Sequence, residues 1–161
     1  MANNYTQATL VPEVRLDAVL SALLRATGAT IEPGDAEGES YVYWEESFEE
    51  IVDPERLADY LDEDAFAEGW DAEPQEKLIE RWADREMAEI LRAVLELNPG
   101  IEFLHLEGAH MCSKMRAGEF GGFGLWVTRQ QYVWINSGGS IQVKDGRLEP
   151  QFTIEDFPEV A

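Results

Sequence analysis

Leu97-Asn98-Pro99-Gly100-Ile101-Glu102-Phe103-Leu104-His105-Leu106 is where the hydrophobic period of this 161-residue chain changes. Before Asn98 the apolar side chains recur every three to four positions. After Gly100 they alternate or run in short blocks, the pattern of strands. Asn98-Pro99-Gly100 separates the two regimes, because proline cannot donate to a helix and glycine readily leaves helical backbone.

Working upstream, Ile79, Ala83, Met87, Ile90, Leu91 and Val94 form one stripe, widened by Leu78 and Trp82. This spacing predicts one long helix from Pro74 to Leu97, with Arg85/Glu89 and Arg92/Glu96 as i, i+4 pairs on its wet side. A second helix is expected from Asp53-Pro54-Glu55, which supplies an N-cap carboxylate, a proline at the first helical position and acid in the first turn. Its Leu57, Tyr60 and Leu61 face inward. Glu55, Asp59 and Asp62, at i, i+4 and i+7, line the outward side. A third helix is expected over Glu13–Thr27, from Leu16, Val19, Leu20, Leu23 and Leu24, and ends at Gly28. Met1–Pro12 reads as a frayed terminus and Ala29–Ser40 as a loop. Tyr41–Trp44 reads as a short strand or the entrance to a turn, and Ser47–Val52 is ambiguous.

Working downstream, five strands are expected: Ile101–Leu106, Phe123–Thr128, Tyr132–Asn136, Ile141–Lys144 and a weaker Leu148–Ile154. Their short connections, including an Asp145-Gly146 hairpin turn, imply an antiparallel meander. The predicted class is α+β: a C-terminal antiparallel meander of about four to five strands (101–154), covered by two to three N-terminal helices. Residues 1–161 read as a single domain.

Charge is the unusual property. The chain has 33 acidic and 12 basic residues, a net charge of −21. Between Glu32 and Glu76 there are 18 carboxylates and one base, Arg56, which places 17 of the net negative charges in 45 residues. Such self-repulsion opposes compaction. A salt-adapted surface would spread its acid evenly, whereas residues 101–161 hold only eight of the 33 carboxylates. The polarity favours a patch. A pI near 4.2 argues against direct binding of nucleic acid or anionic lipid, and for a basic partner. One cysteine, no basic-then-apolar leader and no long apolar run lead to the expectation of a cytoplasmic protein without internal disulfides.

Chemistry-bearing motifs are few. If Met111–Arg116 is extended, His110, Cys112, Lys114 and Arg116 share a face, and the cations would lower the thiol pKa. Neighbours at i and i+2 are about 7 Å apart, however, and a buried structural cysteine is the commoner case. His105, His110 and Cys112 have the wrong parity for one metal site and lack a fourth ligand. No cofactor is implied. Gly118, Gly121, Gly122 and Gly124 precede a strand rather than a helix, so they suit a bulged hairpin better than a phosphate loop. Glu45/Glu46 and Glu49/Glu50 could do acid–base work only if two of them share a pocket.

The block Cys112-Ser113-Lys114-Met115-Arg116-Ala117-Gly118-Glu119-Phe120-Gly121-Gly122, followed by an aromatic strand, resembles a block in uncharacterised small proteins of phages, plasmids and integrated elements. The resemblance covers about residues 107–134. It implies a mobile-element setting and no particular chemistry. In its charge the chain also resembles DNA-mimic inhibitors.

The functional expectation is therefore a non-enzymatic acidic protein that docks on the basic surface of a nucleic-acid-binding protein, as an anti-restriction or anti-CRISPR type of inhibitor does. The expected contact set is Glu45, Glu46, Glu49, Glu50, Glu55, Asp59, Asp62, Glu63, Asp64, Glu68, Asp71 and Glu73, with Trp44 and Trp70 as aromatic anchors. A small enzyme built on His110/Cys112, or an acidic assembly protein, are the alternatives.

Overall fold

The computed structural model describes residues 4–62, 74–112, 121–136 and 141–158, with backbone alone at 4, 5, 111 and 112. Its centre is an antiparallel sheet. Strand β1 (Asn4–Val11) lies between β3 (Ser40–Trp44) and β4 (Leu104–Cys112). Outside β3 lies β2 (Thr30–Pro33). On the other flank follow β5 (Gly121–Val127), β6 (Gln131–Asn136) and β9 (Ile154–Asp156), giving the order β2-β3-β1-β4-β5-β6-β9. A separate hairpin pairs β7 (Ile141–Lys144) with β8 (Arg147–Pro150). Every pairing is antiparallel, as the meander reading requires. The α+β class is as expected, but the sheet is larger, because three N-terminal strands join it.

The segment expected to fray is a central strand. β1 pairs with β4 over eight positions, from Asn4↔Cys112 to Val11↔His105. Its polar sequence hides this, since of its described side chains only Ala8 and Leu10 are buried. Ladders on both flanks and same-face packing supply what propensity does not. The expected loop at Ala29–Ser40 likewise begins with a strand, β2. Pro33 is tolerated there because β2 is an edge. The strand expected at Ile101–Leu106 starts only at Leu104 and continues to Cys112.

Four helices accompany this sheet, two packed against its strands and two against the neighbouring helices. Asp17 caps α1 (Ala18–Ala26) by accepting from Leu20 N–H at 2.8 Å. Gly28, at φ 103, ends it: its N–H donates to Arg25 O and Ala29 N–H donates to Leu24 O, the paired bonds of a Schellman stop. Asp53 caps α2 (Pro54–Tyr60), accepting from Glu55 N–H at 2.9 Å, as its sequence predicts.

The long helix expected over Pro74–Leu97 is two helices, α3 (Gln75–Trp82) and α4 (Met87–Leu97). Asp84 takes φ 61 between them. Its N–H donates to Val52 O, while Val52 N–H donates to Arg85 O. Glu86 and Glu89 then form a capping box that restarts the helix. The apolar stripe continues in spacing across the break, which is why periodicity alone joins the two. At its far end α4 is held by Arg129, whose guanidinium donates to the carbonyls of Leu95, Asn98 and Ile101 at 2.8 to 3.1 Å. A cation at a helix C-terminus also offsets the helix dipole.

One hydrophobic cluster joins these layers. It takes Leu23 and Leu24 from α1, Leu57 from α2, Ile90, Leu91 and Leu95 from α4, and Leu10, Leu104, Leu106 and Leu125 from the sheet. In the β7–β8 hairpin Asp145 (φ 52) and Gly146 (φ 78) form the expected primed turn. Its residues are all exposed. No helix among the described residues is long and apolar enough to cross a membrane.

Candidate partner-binding surfaces

The acidic patch is a strap leading into a short helix. Residues 45–52 leave the end of β3 and cross to the start of α4. Backbone bonds hold this strap along its length: Thr6 N–H donates to Glu46 O, Glu49 N–H to Thr27 O at 2.9 Å, and Met87 N–H to Glu50 O at 2.7 Å. Phe48 turns inward and meets the rings of Trp44, Phe123 and Trp134. Glu45, Glu46, Glu49 and Glu50 stay exposed.

On α2, Leu57 and the following Leu61 are fully buried, while Glu55, Asp59 and Asp62 are exposed, as their spacing predicts. Burying a leucine is worth about 1.5–3 kcal/mol, against a few tenths for each like-charge pair, so the helix tolerates its charged face. Gln75 fastens the end of α2 by donating to Asp62 Oδ1 at 2.8 Å and to Ala58 O. Glu63, Asp64, Glu68, Asp71, Glu73 and Trp70 lie outside the described residues.

Trp44 is a correction. It is 1% exposed, and its indole N–H donates to the buried Thr27 hydroxyl at 3.1 Å. Its even position in β3 puts it on the helix-covered face with Val42. It anchors the core and cannot meet a partner.

Of the motifs weighed for catalysis or metal binding on β4, the described side chains are the two histidines. His110 is hydrogen-bonded through Nδ1 to Thr6 Oγ1 at 3.0 Å and stacks on Phe123. His105 stands on the opposite face of β4, stacked on Trp126 with centroids 3.9 Å apart. The two histidines therefore do not converge. Cys112 closes the β1–β4 ladder opposite Asn4 with its backbone, and its side chain, like Lys114 and Arg116, lies outside the described residues. Among the described residues no three His, Cys, Asp or Glu side chains gather to hold a metal ion.

A second surface, which sequence reading missed, is the sheet face that the helices leave uncovered. The pairing register puts Thr9, Tyr43 and Glu107 in one row, and Val11, His105, Trp126, Val133 and Ile154 in the next. Tyr41 and Tyr43 stack with centroids 5.2 Å apart, and Tyr43 OH donates to Glu32 Oε1 at 3.1 Å. Partial desolvation first, and then the bond to and charge of Glu32, hold the Tyr43 phenol above its ordinary value of 10.0. Two hollows of about 400 and 370 Å³ lie side by side on this face and share Glu107 and Gly108. The first is bounded by Tyr41, Tyr43 and Glu45, the second by His105, Gly124 and Trp126. The alternation at Tyr41/Tyr43 and His105/Glu107 could have signalled the surface. Without β1 as the strand between them, nothing brought the two pairs together.

No family model matches this chain, and neither a curated protein nor a solved structure matches it.

Proposed function

We propose that this protein is a non-enzymatic acidic inhibitor whose strap and α2 occupy the basic, nucleic-acid-binding surface of another protein in place of nucleic acid. The observation that carries the reading is the fixed presentation of seven exposed carboxylates. Glu45, Glu46, Glu49 and Glu50 sit on a backbone bonded to β1, α1 and α4, and Glu55, Asp59 and Asp62 sit on a helix anchored by Leu57 and Leu61.

Charge density makes the strap necessary. Each strand of DNA places a phosphate about every 3.4 Å of axis. Carboxylates at i, i+4 and i+7 of a helix follow at roughly 6 and 4.5 Å, given about 1.5 Å of rise per residue. One helical stripe is thus sparser than one DNA strand, and the adjoining glutamates raise the density. The mobile-element resemblance of residues 107–134 fits a host defence or nucleic-acid-processing protein as the target.

The test is capture of partners from host lysate at low salt and release at high salt, followed by competition with nucleic acid for the captured protein. Binding is expected to fall steeply with salt and to exclude DNA or RNA. A ternary complex that retains the nucleic acid, or binding indifferent to salt, would remove the reading.

A further inference from the structure

We propose that the uncovered face of the sheet is a second binding surface, which takes arginine side chains from an extended basic segment of a protein partner. The inference stands on different residues from the acidic strap and does not require that the strap imitate phosphate.

The first argument is charge. None of the seven strands in the main sheet contains a lysine or an arginine. The strand cations, Lys144 and Arg147, are confined to the separate hairpin. Sheet edges are commonly protected by charged side chains, lysine above all. Here the uncovered face instead carries Glu32 and Glu107, with Glu45 at its rim.

The second argument is the kind of apolar surface on that face. Beside the aliphatic Val11, Val133 and Ile154 it carries two stacked aromatic pairs, Tyr41 with Tyr43 and His105 with Trp126. Trp126 packs over Gly124, where a Cβ would come within 2.6 Å of the indole Cζ3, so the ring's position requires glycine there. His105 stacks on the same indole with an interplanar angle of 17°. Tyr41 and Tyr43 form the facing stack across β1 and β4. Between the two stacks stands Glu107, whose side chain is 64% exposed and meets His105 Nδ1 at 3.4 Å. A carboxylate has about four acceptor sites, so this contact leaves most of its capacity free.

A guanidinium matches this arrangement. It is planar, stacks on aromatic faces, is weakly hydrated, and forks into a carboxylate with two parallel N–H bonds. An ammonium, compact and strongly hydrated, gains less from the rings. A neutral apolar peptide would leave Glu107 desolvated and unpaired, and an anion would be repelled.

The experiment is a titration of isotope-labelled protein, at physiological salt, with the blocked peptide Gly-Gly-Arg-Gly-Arg-Gly-Gly. The readouts are the Trp126 indole N–H and the Glu107 amide resonances. The arginine peptide should shift both saturably, the lysine analogue should bind several-fold more weakly, and the citrulline analogue should shift neither. Glu107→Gln, an exposed change that leaves the core untouched, should weaken the arginine peptide about tenfold. Trp126→Ala should do the same, while Glu37→Gln in the β2–β3 loop should stay within about twofold of the parent. Shifts confined to the strap and α2, equal binding of the citrulline peptide, or indifference to Glu107→Gln would overturn the proposal. Displacement of nucleic acid from a captured partner with no response at Trp126 would overturn it while leaving the acidic strap in place. Arginine binding at Trp126 without such displacement would do the reverse.

Discussion

Thr27 shows how much can depend on one hydroxyl. It donates to Leu24 O at 2.5 Å and accepts from the Trp44 indole at 3.1 Å, with no exposure of its own. Thr27→Val keeps the shape but leaves a buried indole N–H without its acceptor, which should cost about 1–3 kcal/mol in denaturant unfolding. A loss below about half a kcal/mol would mean that the bond contributes little. A surface residue gives the contrasting case. The Tyr132 phenol is held above its ordinary value of 10.0 by partial burial first, and then by the charges of Glu86 and Glu155 and its bond to Glu86. The folded state thus favours the neutral phenol. That contribution is complete below pH 10 and is lost as pH rises through the folded value. In an alkaline titration followed by tyrosinate absorbance, Glu86→Gln should move the Tyr132 step to lower pH. An unmoved step would assign the shift to burial and the remaining charges rather than to Glu86.

At the scale of elements, what was legible in the sequence and what was not separate along physical lines. Features that depend on a few adjacent residues were legible: the Asp53-Pro54 start of α2, the Gly28 stop of α1 and the Asp145-Gly146 turn all stand where their chemistry puts them. Features that depend on a distant partner were not. The break between α3 and α4 is made by Val52, some thirty residues earlier, exchanging backbone bonds with Asp84 and Arg85. β1 is a strand because β3 and β4 flank it, and its Asn, Thr and Gln residues carry little signal of their own. The candidate surfaces divide in the same way. The outward face of α2 follows from spacing within one helix, whereas the groove between Tyr43 and Trp126 needs four strands in register. Two carboxylates of the acidic segment test this distinction. Asp53 accepts from Glu55 N–H and belongs to the fold, so Asp53→Ala should cost about 1 kcal/mol. Asp59 is exposed on the like-charged face, so Asp59→Ala should be neutral or stabilising by a few tenths. Equal losses in thermal unfolding would mean that the outward acids are structural, and would weaken their assignment to a partner.

For the whole molecule, the −21 net charge and its placement lead to opposite responses to salt in folding and in binding. With 33 carboxylates against 12 bases the acids of the chain mainly repel one another, and an ion pair among the described residues, Arg85 with Glu89 at 3.1 Å, is an exposed one of little weight. Screening that repulsion should stabilise the folded state. Across an interface with a basic partner the same carboxylates attract, and screening should weaken the complex. The Debye length shortens from about 30 Å at 0.01 M to about 8 Å at physiological ionic strength, which is enough to separate the strap from much of the remaining charge. Raising salt across that range should therefore increase the melting temperature of the free protein while reducing its affinity for a captured partner. Substituting glutamine for Glu45, Glu46, Glu49 and Glu50 together should flatten both trends, because it removes four charges that no described ion pair engages. Stability that falls with added salt would show that attraction outweighs repulsion within the fold. The acidic strap would then be a structural network, and its role in binding would have to be given up.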